Sequence, residues 1–133
     1  FMDLDGFKAI NDTHGHAMGD ELLRVMAKRL VETVRETDYI ARWAGDEFVL
    51  LLEGSEPIAI EPLANKLIQV IEEPFAAGKA VLNISASIGI AMYMPTSAET
   101  GNELLRRADV AMYDAKRLGK AQVRIVQPLG SVS

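Results

Sequence analysis

Apolar and acidic residues alternate at the start of the chain, Phe1-Met2-Asp3-Leu4-Asp5, as they do at the end of a strand with one buried face. A strand at residue 1 leads us to expect a larger domain of which this sequence is a part. Residues 11–16, Asn-Asp-Thr-His-Gly-His, read as a polar turn. An amphipathic helix follows, with Leu22, Leu23, Met26, Ala27, Leu30, Val31 and Val34 at helical spacing and Asp20 and Glu21 near its positive end. Residues 39–43 and 48–52 predict two strands of a hairpin joined by the four-residue turn 44–47, whose Gly45 can take a positive φ. After a loop at 54–57, a second helix is marked by Leu63, Ala64, Leu67, Ile68 and Ile71 and stopped by Pro74. Residues 80–84 and 87–92 are strand-like, and 95–101 connect to a last helix with Leu104, Leu105, Ala108, Ala111, Met112 and Ala115 inward. Gly119 suits its C-terminal cap, and a short strand at 122–126 ends the pattern.

These interleaved elements predict one α/β or α+β domain over residues 1–127, with a mostly antiparallel five-stranded central sheet flanked by helices. Residues 128–133 read as a tail or linker.

Composition narrows the function. Hydrophobic residues make up 49% of the 133-residue chain, enough for a real core. With no cysteine there is no disulfide framework and no thiolate metal site, which fits a reducing compartment. No apolar run approaches a membrane span, and no secretory signal opens the chain. The expectation is a cytoplasmic domain, either free or as the cytoplasmic part of a membrane-attached protein. A net charge of −5 argues against a nucleic-acid binder with a broad basic surface. An acidic site can still hold a triphosphate when divalent cations stand between carboxylates and phosphates.

Asp3 and Asp5 end the first strand, while Asp46 and Glu47 lie at the hairpin tip. If hairpin and strand are neighbours, their carboxylates converge and a divalent cation relieves the repulsion. Oxygen-only ligation suits Mg²⁺ or Mn²⁺. The competing reading is four solvated turn acids. His14 and His16 are read as ordering a loop rather than as metal ligands, and Trp43 as core or rim packing.

Four segments in order change that balance. Ala44-Gly45-Asp46-Glu47-Phe48 resembles the GGDEF signature of diguanylate cyclases, with alanine in its first position. Residues 3–12, DLDGFKAIND, resemble the D-x-D-x-F-K-x-x-N-D segment of that family, and His16 with Gly19-Asp20 continues it. Residues 86–91 are similar to its S-I-G-I-A strand, and 108–116, ADVAMYDAK, to its A-D-x-A-M-Y-x-A-K helix. The resemblance implies a nucleotidyl-cyclase, palm-like fold with an active-site β-hairpin, condensing two GTP into cyclic di-GMP in a homodimer. It implies two Mg²⁺ or Mn²⁺ per half-site, held by Asp3 and Asp46 with the Leu4 carbonyl. Glu47 would act near the reacting ribose, and Asn11 and Asp20 would read the guanine edge. Gly45 would let the backbone approach the nucleotide, Phe7 belongs to the same substrate segment, and Lys8, Lys116 and Lys120 would face the triphosphate. Arg35 and Asp38, an R-x-x-D ending five residues before Ala44, would form an inhibitory product site.

Bland roles stand beside these: an Asx-turn for Asn11, a helix cap for Asp20, a solvated surface for Lys120, a local ion pair for Arg35. The sequence also departs from the family at Ala44, at Lys120-Ala121 where the family shows R-N, and in lacking the D-x-L-T-G-L-x-N-R opening. Two functional readings result. One is an active cyclase; the other is a catalytically silent GGDEF module that binds GTP or cyclic di-GMP and regulates a neighbouring domain such as an EAL phosphodiesterase.

Overall fold

Period-two and period-3.6 segments alternate along the chain in the computed structural model, which describes residues 1–53, 56–126 and 128. The elements are β1 (Met2–Asp5), α1 (Phe7–His14), α2 (His16–Thr33), β2 (Tyr39–Ala44), β3 (Glu47–Leu51), α3 (Pro57–Glu72), β4 (Phe75–Ala77), β5 (Ala80–Leu82), β6 (Ser85–Ala91), α4 (Gly101–Arg117) and β7 (Val123–Val126). Five strands form one sheet in the order β2-β3-β1-β6-β7, antiparallel except for the β6–β7 pair. The expected α+β architecture with a mostly antiparallel five-stranded sheet is what the chain adopts. β4 and β5 make a separate small hairpin, of which β4 is not legible in the apolar pattern.

Alternation along β1 sends Met2 and Leu4 to one face of the sheet. There they join Leu22, Leu23, Met26 and Leu30 of α2 and Leu67, Ile68 and Ile71 of α3 in the main core. The guanidinium of Arg29 ties the two helices together by donating to the carbonyls of Val70, Ile71, Glu73 and Pro74 at 2.7–3.3 Å. Those are carbonyls at or just past the end of α3. On the opposite face α4 closes directly onto β6, because Gly89 has no side chain. A Cβ there would collide with the Ala108 carbonyl and the Met112 amide. Ala108, Ala111, Met112 and Ala115 form its buried stripe.

Three expectations are corrected. Residues 11–14 are not a turn but the second half of α1. Phe7 and Ile10 give that helix an inward side, and Gly15, at φ 89°, breaks it from α2. Val31 is exposed, one step beyond the buried stripe of α2. The hairpin turn has two residues, not four: Ala44 still pairs with Glu47, leaving Gly45 and Asp46 at the tip.

The end of α4 behaves as expected. Gly119 follows the helix, and its N–H and that of Lys120 donate to the carbonyls of Lys116 and Ala115, a Schellman pattern. The domain boundary at 127, the tail beyond it and part of the 54–57 loop lie outside the described residues. Among the described residues no helix is long and apolar enough to cross a membrane.

Candidate active site

The central strand and the hairpin meet where the sequence places its acids. Asp3 is the register partner of Glu47, and the Leu4 N–H donates to the Asp46 carbonyl at 3.1 Å. The tip is thereby clipped against β1. Gly45 holds φ at 39°, and its carbonyl accepts from Arg42 Nε at 2.8 Å, which braces the turn from the β2 side.

Asp3 and Asp5 lie on the same face of β1 but in different environments. Asp5 is fully engaged: it accepts from the hydroxyls of Ser85 and Ser87 at 2.7 and 2.8 Å and from the Ala121 amide at 3.1 Å. It therefore anchors β1 to β6 and to the loop after α4. That loop places Lys120 and Ala121 at φ 63° and 50°, a region L-residues seldom adopt, so the Asp5 contact helps hold a strained turn. Asp3 is also buried, but only one of its oxygens is satisfied. Lys116 Nζ lies 2.9 Å from Oδ2, while Oδ1 is buried without a partner.

Burial pushes the Asp3 carboxyl up to about 6; the hydrogen bond from Lys116 opposes this and the Asp46 charge adds to it. Burial likewise raises Glu47 above its ordinary value, followed by the charges of Asp109 and Asp46. Asp3 and Glu47 thus share a site that resists their ionisation.

An orphaned oxygen on a buried carboxylate, with a second carboxylate beside it, fits a hard divalent cation. Asp3 and Asp46 could supply its protein oxygens, with the adjacent Leu4 main chain. Among the described residues no three or more His, Asp or Glu side chains cluster closely enough to enclose a metal. Such a site suits Mg²⁺ or Mn²⁺, which complete their shells with water and substrate oxygens.

A second pair of predicted residues meets at the α1–α2 junction. Asn11 Oδ1 is buried without a partner and lies against Gly19, where an added Cβ would collide with it and press on the Phe7 ring. Asp20, next in sequence, is exposed. α2 starts at His16, so Asp20 lies in its second turn and does not cap it. Lys8 is exposed on α1 and Lys120 is exposed in the loop after α4. Trp43 is an exposed rim residue whose ring meets Phe1 edge-on at 6.0 Å.

Arg35 and Asp38 do not join this site. They precede β2, whose six residues span roughly 20 Å to the hairpin tip. The Arg35 guanidinium donates to both Asp38 oxygens at 3.3–3.4 Å and to the Glu53 carbonyl at 2.6 Å. A shallow hollow of about 220 Å³ beside them is lined by Val31, Val34 and Ile40.

Asp109 is the residue that reading the sequence for chemistry missed. Its signal was available, since Asp109 and Lys116 stand seven apart on α4 and so share a face.

Comparison with known proteins identifies the family. The family model described as "Diguanylate cyclase, GGDEF domain" matches residues 1–122. The chain belongs to the GGDEF-domain family. It is 52% identical over 120 residues to the bifunctional diguanylate cyclase/cyclic di-GMP phosphodiesterase MucR of Pseudomonas aeruginosa, covering 90% of this chain and 17% of MucR. It is 38% identical over 120 residues to the cyclic di-GMP phosphodiesterase NbdA of the same organism, covering 90% of this chain and 15% of NbdA. The chain therefore spans less than a fifth of either relative. Among solved structures, the GGDEF domain of DgcB from Caulobacter crescentus in complex with c-di-GMP superposes with a TM-score of 0.86 at 26% identity, covering 93% of this chain and 74% of that one.

Proposed function

We propose that this domain is a diguanylate cyclase, condensing two GTP into cyclic di-GMP with release of two pyrophosphates. The observation that carries the reading is the approach of Asp46 and Glu47 of the hairpin to Asp3, whose Oδ1 is buried and unsatisfied. A buried acid lacking a partner is costly to keep unless a ligand supplies one.

In this reading each subunit of a homodimer holds one GTP, and each ribose 3′-oxygen attacks the α-phosphorus of the opposite GTP. Two Mg²⁺ or Mn²⁺, held by Asp3, Asp46 and the Leu4 carbonyl, would supply charge neutralisation and a more acidic attacking hydroxyl. Lys116 is a mobile point charge that can exchange Asp3 for a phosphate oxygen. Glu47, held above its ordinary value, can accept a proton near the ribose. Asn11 and Asp20 read guanine: the carboxylate accepts from the base's N–H and amino groups, and the amide offers both donor and acceptor. Gly45 leaves the tip bare for the nucleotide, Phe7 shapes the pocket floor, and Lys8 and Lys120 add outer positive charge. Arg35 and Asp38 form a separate product-binding site that slows the enzyme.

A second reading has its own observation. NbdA, 38% identical over most of this chain, is called a phosphodiesterase alone. The domain would then bind GTP without turning it over and regulate a neighbour. Incubation with GTP and Mg²⁺ or Mn²⁺, followed by nucleotide chromatography, separates the two. Cyclic di-GMP formed in proportion to the protein supports the cyclase; bound but unconsumed GTP supports the regulator.

A further inference from the structure

Asp3 and Asp5 stand two residues apart on one face of β1, about 7 Å along the strand. Across the β1–β6 ladder Asp3 lies opposite Ser87 and Asp5 opposite Ser85. The two serines do not divide between the two acids. Ser85 donates to Asp5 Oδ2 at 2.7 Å and Ser87 donates diagonally to Asp5 Oδ1 at 2.8 Å, so Asp3 receives neither hydroxyl.

The end of α4 is fastened to this face of β1 at both acids. Lys116 Nζ, in the last turn of the helix, lies 2.9 Å from Asp3 Oδ2, and the Ala121 amide, just past the helix, donates to Asp5 Oδ2 at 3.1 Å. Between them the chain turns through Gly119, Lys120 and Ala121 at φ 127°, 63° and 50°. Glycine takes such angles freely; lysine and alanine do not. Ala121 is exposed, so main-chain bonds hold its conformation: its own amide on Asp5 and, just beyond, the Ile88 amide on the Gln122 carbonyl.

The two fastenings differ in permanence. Asp3 keeps one oxygen unsatisfied and holds a flexible ammonium that a phosphate can draw away. Asp5 has both oxygens filled by two hydroxyls and a main-chain amide, none of which has a charge to give to a ligand. We propose that Asp5 is a positioning residue: it holds the turn after α4, and with it Lys116 and Lys120, in place when Lys116 leaves Asp3 for a phosphate oxygen. For its ligand the proposal rests on the GTP reading given above. While Lys116 pairs with Asp3, either fastening restrains the turn. Once the ammonium has moved, the Asp5 bond is what ties the turn to β1, and without it Lys120 and Ala121 relax out of the left-handed region.

The test reads two quantities by NMR: hydrogen exchange at the Ala121 amide, and the affinities for GTP and for guanosine with Mg²⁺ present. Asp5→Ala should speed exchange at Ala121 by roughly tenfold or more. It should weaken GTP by about tenfold and leave guanosine, which has no phosphate, little changed. Adding Ala121→Asn should recover most of the GTP affinity, because asparagine accepts the left-handed region. Ser87→Ala, which strips a donor from Asp5 Oδ1 and leaves Oδ2 on the Ala121 amide, should lower the melting temperature without changing the ratio of the two affinities. Should Asp5→Ala fail to fold, Ala121→Val acts from the exposed side: a β-branched residue resists a positive φ, so it should weaken GTP and spare guanosine in the same way. Unchanged exchange at Ala121 in Asp5→Ala, equal losses for GTP and guanosine, or no recovery with Ala121→Asn would each overturn the proposal. Wild-type protein that binds no GTP would instead sink the cyclase reading, while exchange at Ala121 would still decide whether Asp5 holds the turn.

Discussion

Lys116 Nζ lies 2.9 Å from Asp3 Oδ2, while Asp3 Oδ1, in the same carboxylate, is buried without a partner. One strand and one helix, 113 residues apart in sequence, thus build a half-neutralised acid next to Asp46. The ammonium keeps Asp3 from being pushed up further, yet leaves one coordination direction open. That combination suits a carboxylate that alternates between a protein cation and a metal.

Asp46 at the hairpin tip is half-buried and packs into no core, so Asp46→Ala should leave the melting temperature nearly unchanged. Cyclisation should fall on the order of a hundredfold or more, as expected for loss of a group that holds the reacting centre. Wild-type turnover with unchanged melting would remove Asp46 from the site.

Guanine selectivity should follow from Asn11 and Asp20. Adenine lacks the 2-amino group and carries an acceptor where guanine has a ring N–H, leaving Asp20 unpaired. Calorimetry should show GTP bound roughly tenfold or more tighter than ATP. Gly19→Ala should reduce that preference, because its methyl group displaces the Asn11 amide. Equal affinities for the two nucleotides in the wild type would refute both assignments.

The sequence carried the sheet and the acids because both depend on local pattern: apolar alternation in β1 and β3, and a glycine-acid turn between β2 and β3. It hid α1, because Asn11, Asp12, Thr13 and His14 have turn-like side chains and only Phe7 and Ile10 betray the helical period. It could not divide Asp3 from Asp5, which are equivalent in pattern. Only the pairing of β1 with β6 shows that two serine hydroxyls and a main-chain amide consume Asp5. The surroundings of Asp3 and Glu47 depend on Lys116 and Asp109 respectively, which reach them through a crossover that no local window contains.

Acid should loosen the segment before α4. Arg107 donates to both Glu99 oxygens, at 2.5 and 2.8 Å, and to the Met92 carbonyl, at 2.9 Å. The Arg107 hydrogen bond holds Glu99 below its ordinary 4.5. A depressed acid stabilises the fold fully above its unfolded value and loses that contribution as pH falls through the lower folded value. Glu99→Gln should therefore melt below wild type near pH 7, and the gap should narrow as pH drops below about 4. A constant gap across that range, followed by calorimetric melting, would show that the ion pair does not couple to stability.

Product inhibition should depend on Arg35. Burial works to raise Asp38, but the main-chain and guanidinium hydrogen bonds of Arg35 and its charge outweigh it and hold the acid below its ordinary value. The pair is formed, with the Arg35 side chain exposed and the Asp38 side chain covered, beside the hollow at Val31, Val34 and Ile40, and it lies a full strand length from the hairpin tip. A guanidinium so placed can turn its plane onto a guanine base and its fork onto a phosphate, and in turning it uncovers the Asp38 carboxylate for the base's N–H groups. Cyclic di-GMP bound there on two subunits would hold them apart from the face-to-face arrangement that condensation needs. Arg35→Ala should weaken cyclic di-GMP binding by roughly tenfold or more, the loss expected when a charge-assisted pair is removed. Progress curves should bend over in the wild type as product accumulates and stay straighter in the variant. The measurement is a titration of cyclic di-GMP into both proteins, following bound ligand and the rate of GTP consumption together. If both proteins bind and slow alike, Arg35 is a surface arginine paired with its neighbour, and product control lies elsewhere.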